Sequence, residues 1–138
     1  MLVVDDELPL RLLYRFNLEA AGLIVIEAGD GPTGLESAKR SRPDLILLDV
    51  MMPVLDGWMV AEELRRDPAT REIPFVFATP RVDVRDRLRG FELGAIDYIT
   101  LPCDPTRLPS RIRALLALTR DECEARRQES ISELKKNA

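Results

Sequence analysis

Three aspartates at the ends of two apolar runs have the type and spacing to do chemistry. Leu2-Val3-Val4 leads into Asp5 and Asp6, and Leu45-Ile46-Leu47-Leu48 leads into Asp49, ahead of a loop punctuated by Pro53. Apolar runs without alternation suit strands covered on both faces, the habit of a parallel sheet. Ligands of open α/β sheets bind outside the carboxyl ends of the strands. If the two runs are neighbours, all three carboxylates meet at that rim. Like charges held together drive protonation unless a cation shares the site. A hard divalent ion bound through oxygen, Mg²⁺ best of all, meets the need. A carboxylate beside such an ion at a strand tip can attack phosphorus and form an aspartyl phosphate. The nucleophile expected here is Asp49, with the Thr79 hydroxyl, at the end of a later apolar run, donating to the phosphoryl oxygens.

Composition narrows the alternatives. The chain has no histidine among its 138 residues, which removes a Ser-His-Asp triad, a His-ligated zinc and a phosphohistidine. Its net charge of -4 argues against a direct nucleic-acid surface. Cys103 and Cys123 have neither disulfide-framework nor zinc spacing and are expected as reduced thiols. No apolar run approaches a membrane span and no signal-peptide pattern opens the chain, so a cytoplasmic protein without membrane contact is expected.

The elements that must hold the aspartates follow from punctuation and periodicity. After the first strand, Pro9 suits a first helical turn, and Leu10, Leu13, Phe16 or Asn17, and Ala20 recur at helical spacing up to Gly22. A strand is expected over 23–26, a turn at Gly29-Asp30-Gly31-Pro32, and a short helix carrying Leu35 and Ala38 that ends before Pro43. Beyond the central strand, helices are expected over 58–66, 83–94 and 105–118, and strands over 73–78 and 96–100. Val84, Leu88, Phe91 and Leu93 are the expected core contacts of the 83–94 helix. Alternating strands and helices imply an α/β doubly wound parallel five-stranded sheet with right-handed crossovers. Residues 1–118 form one domain in this reading. Residues 119–138 are mostly polar and read as an extension of the last helix past the domain surface, with a linker toward an effector domain or a frayed tail as alternatives.

Val3-Val4-Asp5-Asp6-Glu7, Leu47-Leu48-Asp49-Val50-Met51-Met52-Pro53 with Gly57, Phe77-Ala78-Thr79, and Gly94 to Pro102 together resemble the receiver domain of two-component response regulators. The resemblance implies a flavodoxin-like (βα)5 fold and Asp49 as acceptor of a phosphoryl group from a histidine kinase or phosphotransfer protein. It implies Mg²⁺ held by Asp6, Asp49 and the Met51 backbone carbonyl, with Asp5 acting largely through water. It also implies a switch pair, Thr79 and Tyr98, that remodels the surface made by the fourth helix, fifth strand and fifth helix. A homodimer through that face would set Arg85, Arg87, Arg89, Arg111 and Arg113 against Asp86, Glu92 and Asp97. An effector domain or protein would receive the signal.

Two positions depart from the family pattern. Leu101 stands where the family has lysine before the proline, and Pro80, which has no N–H, follows Thr79. Both changes remove a donor to the phosphoryl group, so a weakened or non-standard switch is expected. Arg81 is a candidate substitute, although a solvated surface cation is its plainer role. The competing function is a phosphorylation-independent interaction domain on the same fold. A hydrolase working through an aspartyl phosphate ranks last, because no cap or substrate-pocket segment is evident, and the expected protein is not an enzyme.

Overall fold

The structure, a computed structural model, describes residues 1–137. Its elements in chain order are β1 (Leu2–Val4), α1 (Leu8–Ala20), β2 (Ile26–Ala28), α2 (Gly31–Ser41), β3 (Ile46–Leu48), α3 (Gly57–Arg66), β4 (Phe75–Thr79), α4 (Val84–Glu92), β5 (Asp97–Thr100), α5 (Leu108–Leu116) and α6 (Arg120–Lys136). All strands pair in parallel, in the order β2-β1-β3-β4-β5. This is the flavodoxin-like doubly wound order, whose direction of winding reverses between β1 and β3.

The unbroken apolar runs are explained by two cores, one on each face of the sheet. Leu2, Val4, Ile46, Leu48, Phe75 and Phe77 point toward α2, α3 and α4, where they meet Ala38, Trp58, Ala61, Leu64 and Phe91. Val3, Leu47, Val76, Ala78 and Ile99 face α1 and α5, against Tyr14, Leu18, Leu108, Ile112 and Leu115. Aspartates cap the two helices that follow β2 and β3: Asp30 accepts from Thr33 N–H at 2.7 Å and Asp56 from Met59 N–H at 2.9 Å.

The type and order of the first ten elements agree with the sequence reading, while several boundaries move. The second strand pairs over Ile26–Ala28, not 23–26: Gly22 takes a left-handed φ of 89°, Leu23 N–H still bonds back to Leu18, and the ladder opens only when Ile26 N–H reaches Met1 O. The fourth strand begins at Phe75 because Ile73 is held in a turn by Thr70 O. On α1 the buried face carries Tyr14 and Leu18, whereas Leu13 and Phe16 are exposed. On α4 the expected contacts Val84, Leu88, Phe91 and Leu93 all pack against the core.

The C-terminal segment differs most from expectation. It does not continue α5 outward. Thr119 and Glu122 form a reciprocal capping box, Glu122 N–H to Thr119 Oγ1 at 3.1 Å and Thr119 N–H to Glu122 Oε1 at 2.9 Å, which starts a new helix. This helix, α6, packs against α4. Ile131 and Leu134 are buried in the core shared with Phe91 and Tyr98, and Arg127 Nη1 donates to Phe91 O at 2.6 Å. Arg126 Nε donates to Ile96 O at 3.2 Å.

Gly57 fixes how closely α3 approaches the end of β3. A Cβ there would lie 2.2 Å from Asp49 O and 2.7 Å from Val50 Cα, both backbone atoms that cannot swing aside. Gly57→Ala is expected to cost about 1–3 kcal/mol through overpacking and to shift the amides around Asp49, measured by denaturant unfolding and amide spectra. Ile131→Ala is expected to lower hydrogen-exchange protection in α6 well before it does so in the sheet, since α6 is anchored by few apolar side chains.

Candidate functional site

The reversal of winding between β1 and β3 opens a crevice at their carboxyl ends, and the sequence puts acids there. Val4 pairs with Leu48 across the two strands, and Asp49 N–H continues the ladder to Val4 O at 2.9 Å. The next residue of each strand is therefore an aspartate beside an aspartate. One carboxylate oxygen from each of Asp5, Asp6 and Asp49 lies within 4.8 Å of the others. Asp5 and Asp49 are buried, while Asp6 is exposed at the mouth.

The electrostatics follow from that burial. Burial pushes the Asp49 carboxyl up to about 7, and the charge of Asp5 adds to the rise. Burial likewise pushes Asp5 up to about 6, against the lowering effect of the Glu7 N–H, which donates to Asp5 Oδ1 at 2.9 Å. Asp49 Oδ1 accepts from Met51 N–H at 3.2 Å. Arg11, the nearby cation, is spent on other oxygens: its Nη1 donates to the Asp5 backbone carbonyl at 2.7 Å and its Nε to Glu27 Oε1 at 3.2 Å. Three converging carboxylates with no guanidinium or ammonium on them among the described residues are an oxygen-only donor set that fits a hard divalent cation. Met51 follows Asp49 by two residues with its side chain exposed.

Thr79 ends β4 and is fully buried; Arg81 N–H reaches its Oγ1 at 3.4 Å. The Arg81 guanidinium turns away to Asp86 at 3.1 Å, the surface role anticipated for it. Tyr98 sits on β5 with its ring inside, 6.1 Å from Phe77 and 6.4 Å from Phe91 between centroids. Its hydroxyl has no protein partner among the described residues. Asp97 beside it is gripped within the chain by Arg111 at 2.8 Å and Arg126 at 3.4 Å.

Leu101 and Pro80 line one cavity of about 520 Å³ with Asp49, Met51, Tyr14 and Cys103. The Leu101–Pro102 peptide is cis. Tyr14 was not singled out in the sequence, although Leu10, Tyr14 and Leu18 stand at the i, i+4, i+8 spacing of a buried helix face. No helix is long and apolar enough to cross a membrane among the described residues.

Comparison with known proteins adds kinship to this geometry. Residues 1–113 match the model of the response regulator receiver domain. The chain is 42% identical over 119 residues to the DNA-binding dual master transcriptional regulator RpaA of Synechocystis, covering 86% of this chain and 49% of that protein. It is 48% identical over 116 residues to the response regulator PleD of Caulobacter vibrioides, covering 83% of this chain and 25% of that one. The chain thus spans about half the length of the first relative and a quarter of the second. The crystal structure of a putative response regulator from Chloroflexus aurantiacus superposes with a TM-score of 0.79 at 32% identity, covering 85% of this chain and 96% of that one. With the fold, the acidic crevice and the matched span in agreement, the chain belongs to the response regulator receiver domains of two-component signalling.

Proposed function

We propose that Asp49 accepts a phosphoryl group from a histidine kinase or phosphotransfer protein, and that Asp5, Asp6, Asp49 and the Met51 carbonyl hold the Mg²⁺ this requires. The observation that carries the reading is the convergence of three carboxylates, two of them buried, at the crevice between β1 and β3. Bound there, the ion supplies charge neutralisation for the carboxylates and for the incoming phosphoryl oxygens. An Asp49 oxygen attacks phosphorus as the bond to the donor's nitrogen breaks and the donor imidazole leaves. Thr79, at the end of the adjacent strand, donates its hydroxyl to the product, and Tyr98 senses the change from behind it. The transfer makes the chain a signalling component, with no turnover of its own, and kinship with transcriptional regulators supports a cytoplasmic setting and an effector domain or protein downstream.

Switching is weakened in this reading. Leu101 and Pro80 remove two donors, each worth about 1.5–3 kcal/mol toward a charged group. Tyr98 is already inside, and α6 packs on α4 next to it. Residues 1–118 are then the receiver unit, and the expected extension over 119–138, of which 119–137 are described, supplies α6 to cover part of its output face. A homodimer through α4, β5 and α5 would need α6 to leave α4 and Asp97 to exchange its internal arginines for those of a second chain. These same contacts favour a second reading, a constitutive interaction domain that works without phosphate.

Incubation with Mg²⁺ and a small phosphodonor is expected to add one phosphoryl mass to the intact chain, and Asp49→Asn to abolish it; an unmodified wild-type chain would favour the second reading. Leu101→Lys is expected to strengthen the amide shifts that beryllium fluoride produces in β5 and α5. Stability without divalent ions should fall as pH rises. The folded pKa values of Asp5 and Asp49, about 6 and about 7, lie above the unfolded ones, so the stabilisation is complete below the ordinary aspartate pKa of about 4 and is lost as pH climbs through the folded values. Thermal melts in EDTA across that range should show the loss, Asp49→Asn should flatten it, and Mg²⁺ should reverse it at the alkaline end.

A further inference from the structure

Tyr14 is 2% exposed, yet its hydroxyl donates to no protein atom among the described residues. Buried hydroxyls ordinarily find a partner, and one that does not calls for an explanation. The ring stands on α1 among the residues lining the cavity that Asp49, Pro80 and Leu101 also line, so it borders the space where two expected phosphoryl donors are absent. The remaining wall is largely apolar: Leu10, Leu13 and Met51 flank it. Burial above all, with the carboxyls of Asp5 and Asp49 adding to it, holds the phenol pKa far above its usual value, so the group remains a protonated donor.

We propose that Tyr14 donates its hydroxyl hydrogen bond to the phosphoryl group carried by Asp49, taking over from α1 part of the role that a lysine at position 101 would fill. The inference rests on Asp49 being the phosphoacceptor. A phenol and an ammonium differ in one respect that matters here: the phenol donates without adding positive charge. The acceptor corner therefore stays one unit more negative than a lysine would make it, and anion binding depends more heavily on the divalent ion. The unpartnered state of the hydroxyl in the phosphate-free fold also gives the substitution an unusual signature. Tyr14→Phe removes an unsatisfied buried oxygen, so the phosphate-free protein loses nothing or gains stability, while the loaded protein loses a donor.

The test is a titration of the full chain with beryllium fluoride in excess Mg²⁺, followed by amide spectra, on wild type, Tyr14→Phe, Leu101→Lys, the double variant Tyr14→Phe/Leu101→Lys, and Asp49→Asn. Tyr14→Phe is expected to raise the midpoint about tenfold, the worth of one hydrogen bond to a charged group, with no fall in the phosphate-free melting temperature. The double variant should recover most of that loss. A Tyr14→Phe midpoint equal to wild type, with wild type responding and Asp49→Asn silent, overturns the inference and leaves the acceptor assignment standing. A silent wild type, or an Asp49→Asn that responds like wild type, overturns both. If Tyr14→Phe lowers the melting temperature as well as the affinity, the double variant decides: a gain from Leu101→Lys that is larger in the Tyr14→Phe background than in wild type supports the donor role, and an equal gain makes Tyr14 a packing residue.

Discussion

Like charges forced together are the constraint on which this structure turns. Parallel pairing of β1 with β3 in the register that sets Val4 beside Leu48 leaves their next residues side by side, and both are aspartates. The local backbone relieves the repulsion only in part: a Met51 N–H and a Glu7 N–H reach the two buried carboxyls, while Arg11 is turned to other oxygens. Burial first, and the neighbouring negative charge after it, makes Asp5 and Asp49 at this corner hold their protons at pH values where ordinary carboxylates are ionised. A site of this kind is costly without a cation and well suited to one, and the surrounding elements serve to keep it rigid. Gly57 lets α3 press directly against the Asp49 backbone, and the aromatic set of Trp58, Phe77 and Phe75 in edge contact braces the strands behind it.

From that corner two routes lead outward. One runs through Thr79 and Tyr98 to the face made by α4, β5 and α5, the other through Asp49 into the apolar cavity against α1. The first is unusually closed. Tyr98 is inside, a side chain added at Gly90 would press on its ring, and α6 lies against α4, tied to Phe91 O by Arg127. The second is unusually apolar, because Leu101 and Pro80 replace groups that would carry charge or an N–H. On the proposed reading, a phosphoryl group on Asp49 would meet a closed output face on one side and an apolar wall on the other.

The acids were legible in the sequence because each followed an uninterrupted apolar run, and a strand buried on both faces leaves no other pattern. The order of elements was legible too, from glycine and proline punctuation. The buried side of α1 was not: leucine or phenylalanine occurs on more than one face, Leu13 and Phe16 form as good a periodic stripe as Leu10, Tyr14 and Leu18, and only packing on α5 selects between them. The docking of α6 was hidden for another reason. Its anchors, Ile131 and Leu134, are isolated in a polar segment, and the residues that receive them lie some 40 positions earlier in α4 and β5. The capping box at Thr119 and Glu122 was the local signal that a new helix starts there.

The central claim is that Asp5, Asp6 and Asp49 act together as one divalent-ion site that prepares Asp49 for phosphorus. Its most direct test is calorimetric titration of Mg²⁺ at neutral pH, with Mn²⁺ added in trace amounts to broaden nearby amides. The account predicts one ion per chain, broadening confined to the residues that follow β1 and β3, and loss of both signals in Asp6→Asn. Heat that is indifferent to Asp6→Asn, or broadening centred elsewhere on the surface, would contradict it.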